Sequence, residues 1–283
     1  MEEEENWDLV IRPQNNLLDL RLGEVWRYRD LLVLFVKRDF VAFFKQTILG
    51  PTWFFIQPIF TTLIYVFIFG NLAGIPTDGI PTPIFYLSGI IAWGYFSDCM
   101  TKTSNVFREN STIFGKVYFP RLIMPLSIVI SSLLRFGIQL LLLLVLIGYY
   151  MITGKANFQP TWCLALFPFF VFLMAIQGLG FGMIISSITT KYRDLALLVT
   201  FAMPLIMYAT PIVYPLSTLE GRLRLVISAN PMTPVIEGIR LGFFGKGIFD
   251  VFSMVYLVIV SVAVLLIGVV VFNKVQKNFI DTV

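Results

Sequence analysis

The feature that most limits this chain is a series of apolar runs, each as long as a bilayer is thick. Residues 46–77 carry no charged side chain, and similar runs follow at 79–97, 122–151, 156–190, 195–214 and 251–272, with Arg135 the one charge inside any of them. About 20 such residues in a helix cross the roughly 30 Å of hydrocarbon. Of the 283 residues, 57% are hydrophobic and 13% charged, whereas soluble domains carry about 25% charge. Lipid is the solvent this composition suits. The expectation is an all-α integral membrane protein with six transmembrane helices. They fall at about 51–70, 83–103, 122–151, within 156–190, 195–214 and 251–272. Pro58, Pro204 and Pro211 lie inside spans, where neighbouring helices make proline tolerable.

The flanks divide the rest. Residues 1–22 are polar and read as a cytoplasmic N-terminal segment. Their start is acidic, from Glu2 to Glu5 with Asp8, unlike the basic start of a cleaved signal peptide. At 23–39 the pattern turns helical. Val25, Tyr28, Leu31, Leu32, Phe35 and Val36 share one face, and Arg27, Asp30, Lys37 and Arg38 the other. That predicts an amphipathic helix in the membrane interface. The six-span domain occupies 40–273, and 274–283 form a cytoplasmic tail. Before the last span, 215–250 are too charged to cross and too apolar for a free loop. Asn230-Pro231 breaks them, since the residue before proline avoids the helical region. Two short external re-entrant helices are predicted.

Orientation follows from Lys and Arg. Of the 21, fifteen lie in segments on the side of both termini, including Arg108, Lys116, Arg121, Lys191 and Arg193. The other side holds Lys155, Arg222, Arg224, Arg240 and Lys246. Positive charge marks the cytoplasm, so both termini are expected there.

One polar stretch stands out between spans two and three, Phe107 to Pro125, reading FRENSTIFGKVYFPRLIMP. Too polar for hydrocarbon and too short for a domain, it reads as a cytoplasmic helix over about 107–120 that meets a partner. The chain holds no phosphate-cradling loop. Gly115-Lys116, Gly154-Lys155 and Gly245-Lys246 lack both the upstream Gly and the following Ser/Thr that the loop requires. No His is present, and neither a metal cluster nor a paired-carboxylate site is legible, so an enzyme is a remote reading. Cys99 and Cys163 fall in apolar runs and read as buried thiols.

Inside the spans, Arg135 has two readings. It lines a path for an anionic substrate, or it pairs with Asp98 of the second span. An intramembrane Arg costs about 2.5–3.5 kcal/mol on insertion scales, so it faces protein or water in either case. Tyr65, Tyr95 and Tyr208 lie within spans and are candidates for lining a sugar path, against the plainer reading as part of an aromatic belt. Gly178 and Gly182 form a small-xxx-small face, read as packing within the chain rather than between two copies.

The ordered set of features resembles a family. These are the amphipathic helix ahead of the first span, Asn110 to Pro125 with its Lys116, Phe119-Pro120 and Pro125, and Lys191-Tyr192-Arg193-Asp194-Leu195 between spans four and five. Asn230-Pro231-Met232-Thr233-Pro234 with Glu237 and Arg240 precedes the last span. The chain resembles the membrane subunit of bacterial ABC-2 type exporters of lipid-linked polysaccharide, most of all the O-antigen permeases. Capsule and teichoic-acid permeases share much of the pattern.

The resemblance implies a homodimer in the bacterial inner membrane. Each subunit would bind an ATP-binding cassette subunit that carries ATP and Mg, this chain holding no cofactor of its own. The partner would be met at Phe107, Arg108, Glu109 and Lys116, and at Tyr192, Arg193 and Asp194. The other partners would be membrane lipid and a polysaccharide on polyprenyl pyrophosphate, not nucleic acid. An ABC-2 exporter of drugs or lipids shares the architecture. A gradient-driven carrier would show repeated halves and several intramembrane carboxylates, and here only Asp98 is found.

Overall fold

The computed structural model describes residues 22–45, 47–114, 116–154, 159–192 and 194–278. Most of the N-terminal segment, the last five residues, Lys155 and Arg193 lie outside these. Every regular element among the described residues is helical. The chain opens with α1 (Leu22–Arg27) and α2 (Arg29–Phe44). A 3-10 turn, Gly50–Thr52, leads into α3 (Trp53–Tyr65), which continues as a π-helical turn, Val66–Leu72. Then come α4 (Thr82–Ser104), two short turns α5 (Val106–Glu109) and α6 (Ser111–Phe114), and α7 (Ile123–Ile152). A 3-10 turn, Trp162–Leu166, precedes α8 (Phe167–Thr189). The last elements are α9 (Leu195–Tyr208), α10 (Gly221–Ser228), α11 (Met232–Phe244) and α12 (Val251–Asn278).

Six of these run between two ends of a bundle. At one end the Thr189 hydroxyl donates to the Ser104 carbonyl at 3.2 Å, and Phe107 stacks on Phe272 with centroids 4.7 Å apart. Those contacts gather the C-termini of α4, α8 and α12. At the other end Ser217 donates to Asp78 at 2.8 Å, and the Asn230 amide donates to Thr210 Oγ1 at 2.8 Å. Helices α3, α7 and α9 run from the first end to the second, and α4, α8 and α12 run back. Among the described residues, four segments are long and apolar enough to cross a membrane: Gly50–Leu72, Ile123–Ile152, Trp162–Thr189 and Val251–Val275.

The other two differ for separate reasons. Helix α4 packs against α3, α7, α8, α9 and α11. It is the central helix, with little lipid to face, so Ser88, Gly89, Thr103 and Ser104 sit buried on it where a peripheral span carries leucine. Helix α9 has 14 residues, about 21 Å at 1.5 Å per residue. It stops at Tyr208, short of the expected 214, because Pro211 cannot continue the hydrogen-bonded turn.

Three sequence expectations change here. The helix expected at 23–39 is two helices with a break at Tyr28. The apolar face carrying Val25, Leu31, Leu32 and Phe35 is covered by protein, in one cluster with Phe107, Phe114, Phe119 and Ile123. The face left open on α2 carries Val33, Leu34, Lys37, Arg38 and Val41. Lastly, 107–120 form no single helix. They make two four-residue turns either side of Asn110 and then irregular backbone.

Candidate functional site

Three helices enclose a cavity of about 320 Å³. Helix α3 contributes Phe54, Gln57, Pro58 and Thr61. Helix α4 contributes Gly94, Tyr95, Asp98 and Lys102, and α7 contributes Ser132, Arg135, Phe136 and Gln139. Gly94 presents no side chain and leaves room where a regular apolar helix would fill the space. A Cβ on Gly94 would meet nothing within 4 Å.

Three charges stand on the wall. Arg135 Nη1 donates to Asp98 Oδ2 at 3.0 Å, and Lys102 Nζ reaches the same oxygen at 3.0 Å. The Arg135 guanidinium also lies 5.8 Å from the centre of the Phe54 ring. Arg135 thus pairs with Asp98 and also lines the cavity. Side-chain exposure is graded, at 13% for Arg135 against 34% for Lys102 and 40% for Asp98. Asp98 and Lys102 therefore stand on the open side of the cavity, with Arg135 at its inner wall.

This geometry sets an order of stabilities. A charge-assisted hydrogen bond is worth about 1.5–3 kcal/mol when covered, and exposed ion pairs contribute about 1 kcal/mol or less. Asp98→Asn should lower the melting temperature more than Lys102→Gln does. Adding Arg135→Gln to Asp98→Asn should recover part of the loss. A double variant that melts no higher than Asp98→Asn alone would mean the contact contributes little.

The tyrosines separate. Tyr95 lines the cavity and packs on Phe136, centroids 5.2 Å apart. Tyr65 is buried elsewhere, with its ring against Phe69 and Tyr86 and its hydroxyl donating to Met207 Sδ at 3.7 Å. Tyr208 is exposed beside Phe69. Tyr65 and Tyr208 thus belong to one aromatic group at the end of the bundle where α3 and α9 finish.

At the end where α4 and α8 terminate, Arg108, Glu109, Lys116, Tyr192 and Asp194 are exposed. Phe107 is not. It is buried against Phe114 and Phe272, so it anchors the turn that presents Arg108 and Glu109. Arg193 lies outside the described residues.

The sequence reading named Glu237 and Arg240 but missed their depth, the greatest of any charges among the described residues. Arg240 and Glu237 are each 2% exposed and 3.4 Å apart. Arg240 donates to the Pro211 carbonyl at 2.6 Å and the Ile212 carbonyl at 3.1 Å. Its guanidinium lies 3.6 Å from the centre of the Phe85 ring. Glu237 accepts from the Ile248 N–H at 2.8 Å. The i,i+3 spacing of opposite charges on a short apolar helix was the available signal.

Residues 30–244 match the profile of the family described as ABC-2 type transporter. The chain belongs to the ABC-2 type transporter family. It is 30% identical to the O-antigen export system permease protein RfbA of Myxococcus xanthus over 264 residues, covering 92% of this chain and 98% of that protein. A Klebsiella pneumoniae protein of the same name is 27% identical, with 89% and 94% covered. The polysialic acid transport protein KpsM of Escherichia coli is 22% identical, with 87% and 93% covered. In this ABC-2 permease the family match takes in α3 to α11 and nearly all of α2, and so includes the cavity and the Arg240–Glu237 pair.

Proposed function

We propose that this chain is the membrane-spanning subunit of an ATP-driven exporter that moves lipid-linked polysaccharide outwards across the bacterial inner membrane. One observation carries the reading: nearly end-to-end likeness to permeases named for O-antigen and polysialic acid export. O-antigen is the favoured polymer class because the RfbA proteins are the more similar. The chain performs no hydrolysis. A separate ATP-binding cassette subunit supplies ATP and Mg, and two copies of this chain form the path.

All six bundle helices cross the bilayer in this reading, with both termini in the cytoplasm. Helix α9 spans with the help of residues 209–214. The open face of α2, with Lys37 and Arg38 among Val33, Leu34 and Val41, lies on anionic lipid at the interface. Helices α10 and α11 dip from the outer side. The exposed Arg108, Glu109, Lys116, Tyr192 and Asp194, with Arg193 between the last two, meet the ATPase. Arg135 and Tyr95 on one side of α4, and Tyr65 and Tyr208 near its outer end, stand along the route of the substrate.

Two measurements test this. Single cysteines at the exposed Thr112 and Thr218, in a background free of Cys99 and Cys163, should label from opposite sides of the membrane; labelling from one side overturns the topology. Deleting the gene should remove the surface polysaccharide while the lipid-linked polymer collects inside. Normal surface polymer in the deletion strain overturns the function.

A further inference from the structure

We infer that the cavity between α3, α4 and α7 is a binding site for a phosphate or diphosphate group. The wall carries two cations and one carboxylate, a surplus of one positive charge. Asp98 is shared at 3.0 Å by both Arg135 and Lys102. Two cations against one carboxylate give the cavity a positive potential that draws an anion. Gln57 and Gln139 add amide donors on two facing helices. The planar fork of Arg135 suits the oxygens of a phosphate, and Lys102 at the mouth acts as a point charge that draws the anion in.

The volume of about 320 Å³ lies within the range of small-molecule sites, and leaves space for more than a single phosphate. Gly94 keeps the space open, since any side chain there would enter it. The source of the ligand rests on the exporter reading; the charge of the site does not. A phosphate carried on a lipid would lie with its tail outside the helices, whereas a soluble anion would enter alone.

The test is binding to the purified full-length protein, without the ATPase and without polymer. The probes are inorganic pyrophosphate, farnesyl diphosphate and uncharged farnesol. The parent should bind at least one of the two diphosphates, more weakly as salt rises. Arg135→Gln and Gly94→Leu should each lower that affinity tenfold or more, and Arg135→Lys should fall between. Gly94→Leu fills open space and leaves all three charges in place, so it carries the test if Arg135→Gln does not fold.

Tighter binding of farnesyl diphosphate than of pyrophosphate assigns the site to a lipid-borne group, and equal binding assigns it to a soluble anion. Farnesol binding as well as farnesyl diphosphate, no diphosphate bound, or Gly94→Leu binding like the parent overturns the site. A deletion strain with normal surface polymer would remove the export reading while leaving a positive binding result intact. Export that persists in Gly94→Leu, together with parent-like binding, removes the site alone.

Discussion

Arg240→Met should be among the most destabilising single changes in the chain, at about 3–5 kcal/mol, the usual cost of stranding one member of a buried pair. The variant leaves Glu237, 2% exposed, without its cation. It also takes donors from the Pro211 and Ile212 carbonyls, which lie just beyond the last turn of α9. A cation there stabilises the helix end as well. Removing the carboxylate too, in Arg240→Met with Glu237→Leu, should recover only part of the loss. The two carbonyls and the Ile248 N–H remain without these partners whatever fills the space. Glu237→Gln should cost less than Arg240→Met, because an amide oxygen can still accept from Ile248. Thermal melts of the purified protein check the order. A double variant as stable as the parent would show that the backbone contacts contribute nothing.

The helices were legible in the sequence because hydrocarbon imposes a simple rule, and runs of about 20 apolar residues are easy to see. What the runs could not reveal was how much lipid each helix meets. Helix α4 has to be read with its neighbours, since a helix wrapped by five others gains nothing from surface leucines. The N-terminal amphipathic pattern was correct as a pattern, with Val25, Leu31, Leu32 and Phe35 on one side. The hydrophobic effect rewards any cover of that face, and periodicity cannot tell protein from lipid. Phe119 and Ile123, far along the chain, supply the cover. The segment 107–120 has a helical composition. Asn110 and the irregular backbone of 116–120 cut it into turns too short for a regular helix.

The candidate site was half legible. An Arg inside a span draws attention because it is expensive, and Asp98 was the one intramembrane carboxylate within reach. The cavity itself is made by an absence, at Gly94, and an absence on one helix means something only when the facing helices are known. Arg240 and Glu237 were visible as charges, yet the length and mixed character of 215–250 hid their depth. Helix α11 is buried on nearly every side, although the segment reads as external. The burial of Phe107 went unseen for a related reason. Its polar neighbours Arg108 and Glu109 are on the surface, and sequence proximity does not report that the ring turns inwards onto Phe272.

Three glycines of α8 should give the opposite response to Gly94, although all four sit in apolar helices. A Cβ on Gly182 would lie 2.5 Å from Thr103 Cβ and 3.0 Å from the Met100 carbonyl oxygen. One on Gly178 would lie 2.6 Å from Cys99 Cβ and 3.1 Å from the Phe96 carbonyl oxygen. These are parts of α4 held close to its backbone, so no flexible tip can swing aside. Gly180 faces the other way, with its Cβ position 2.9 Å from the Leu265 nitrogen of α12. The small-xxx-small face therefore joins helices within one chain, and α8 is clasped on two sides. Overpacking a tight interior costs about 1–3 kcal/mol, and Gly182→Val should exceed the loss for Gly182→Ala. Gly94→Ala meets no neighbour and replaces the poorer helix former, a change worth up to about 1 kcal/mol in favour. Melting of Gly182→Ala, Gly180→Ala and Gly94→Ala beside the parent tests this. The first two should melt lower and the last at the parent temperature or above. If Gly182→Ala melts with the parent, α4 and α8 are not in close contact there, and the central position of α4 is wrong.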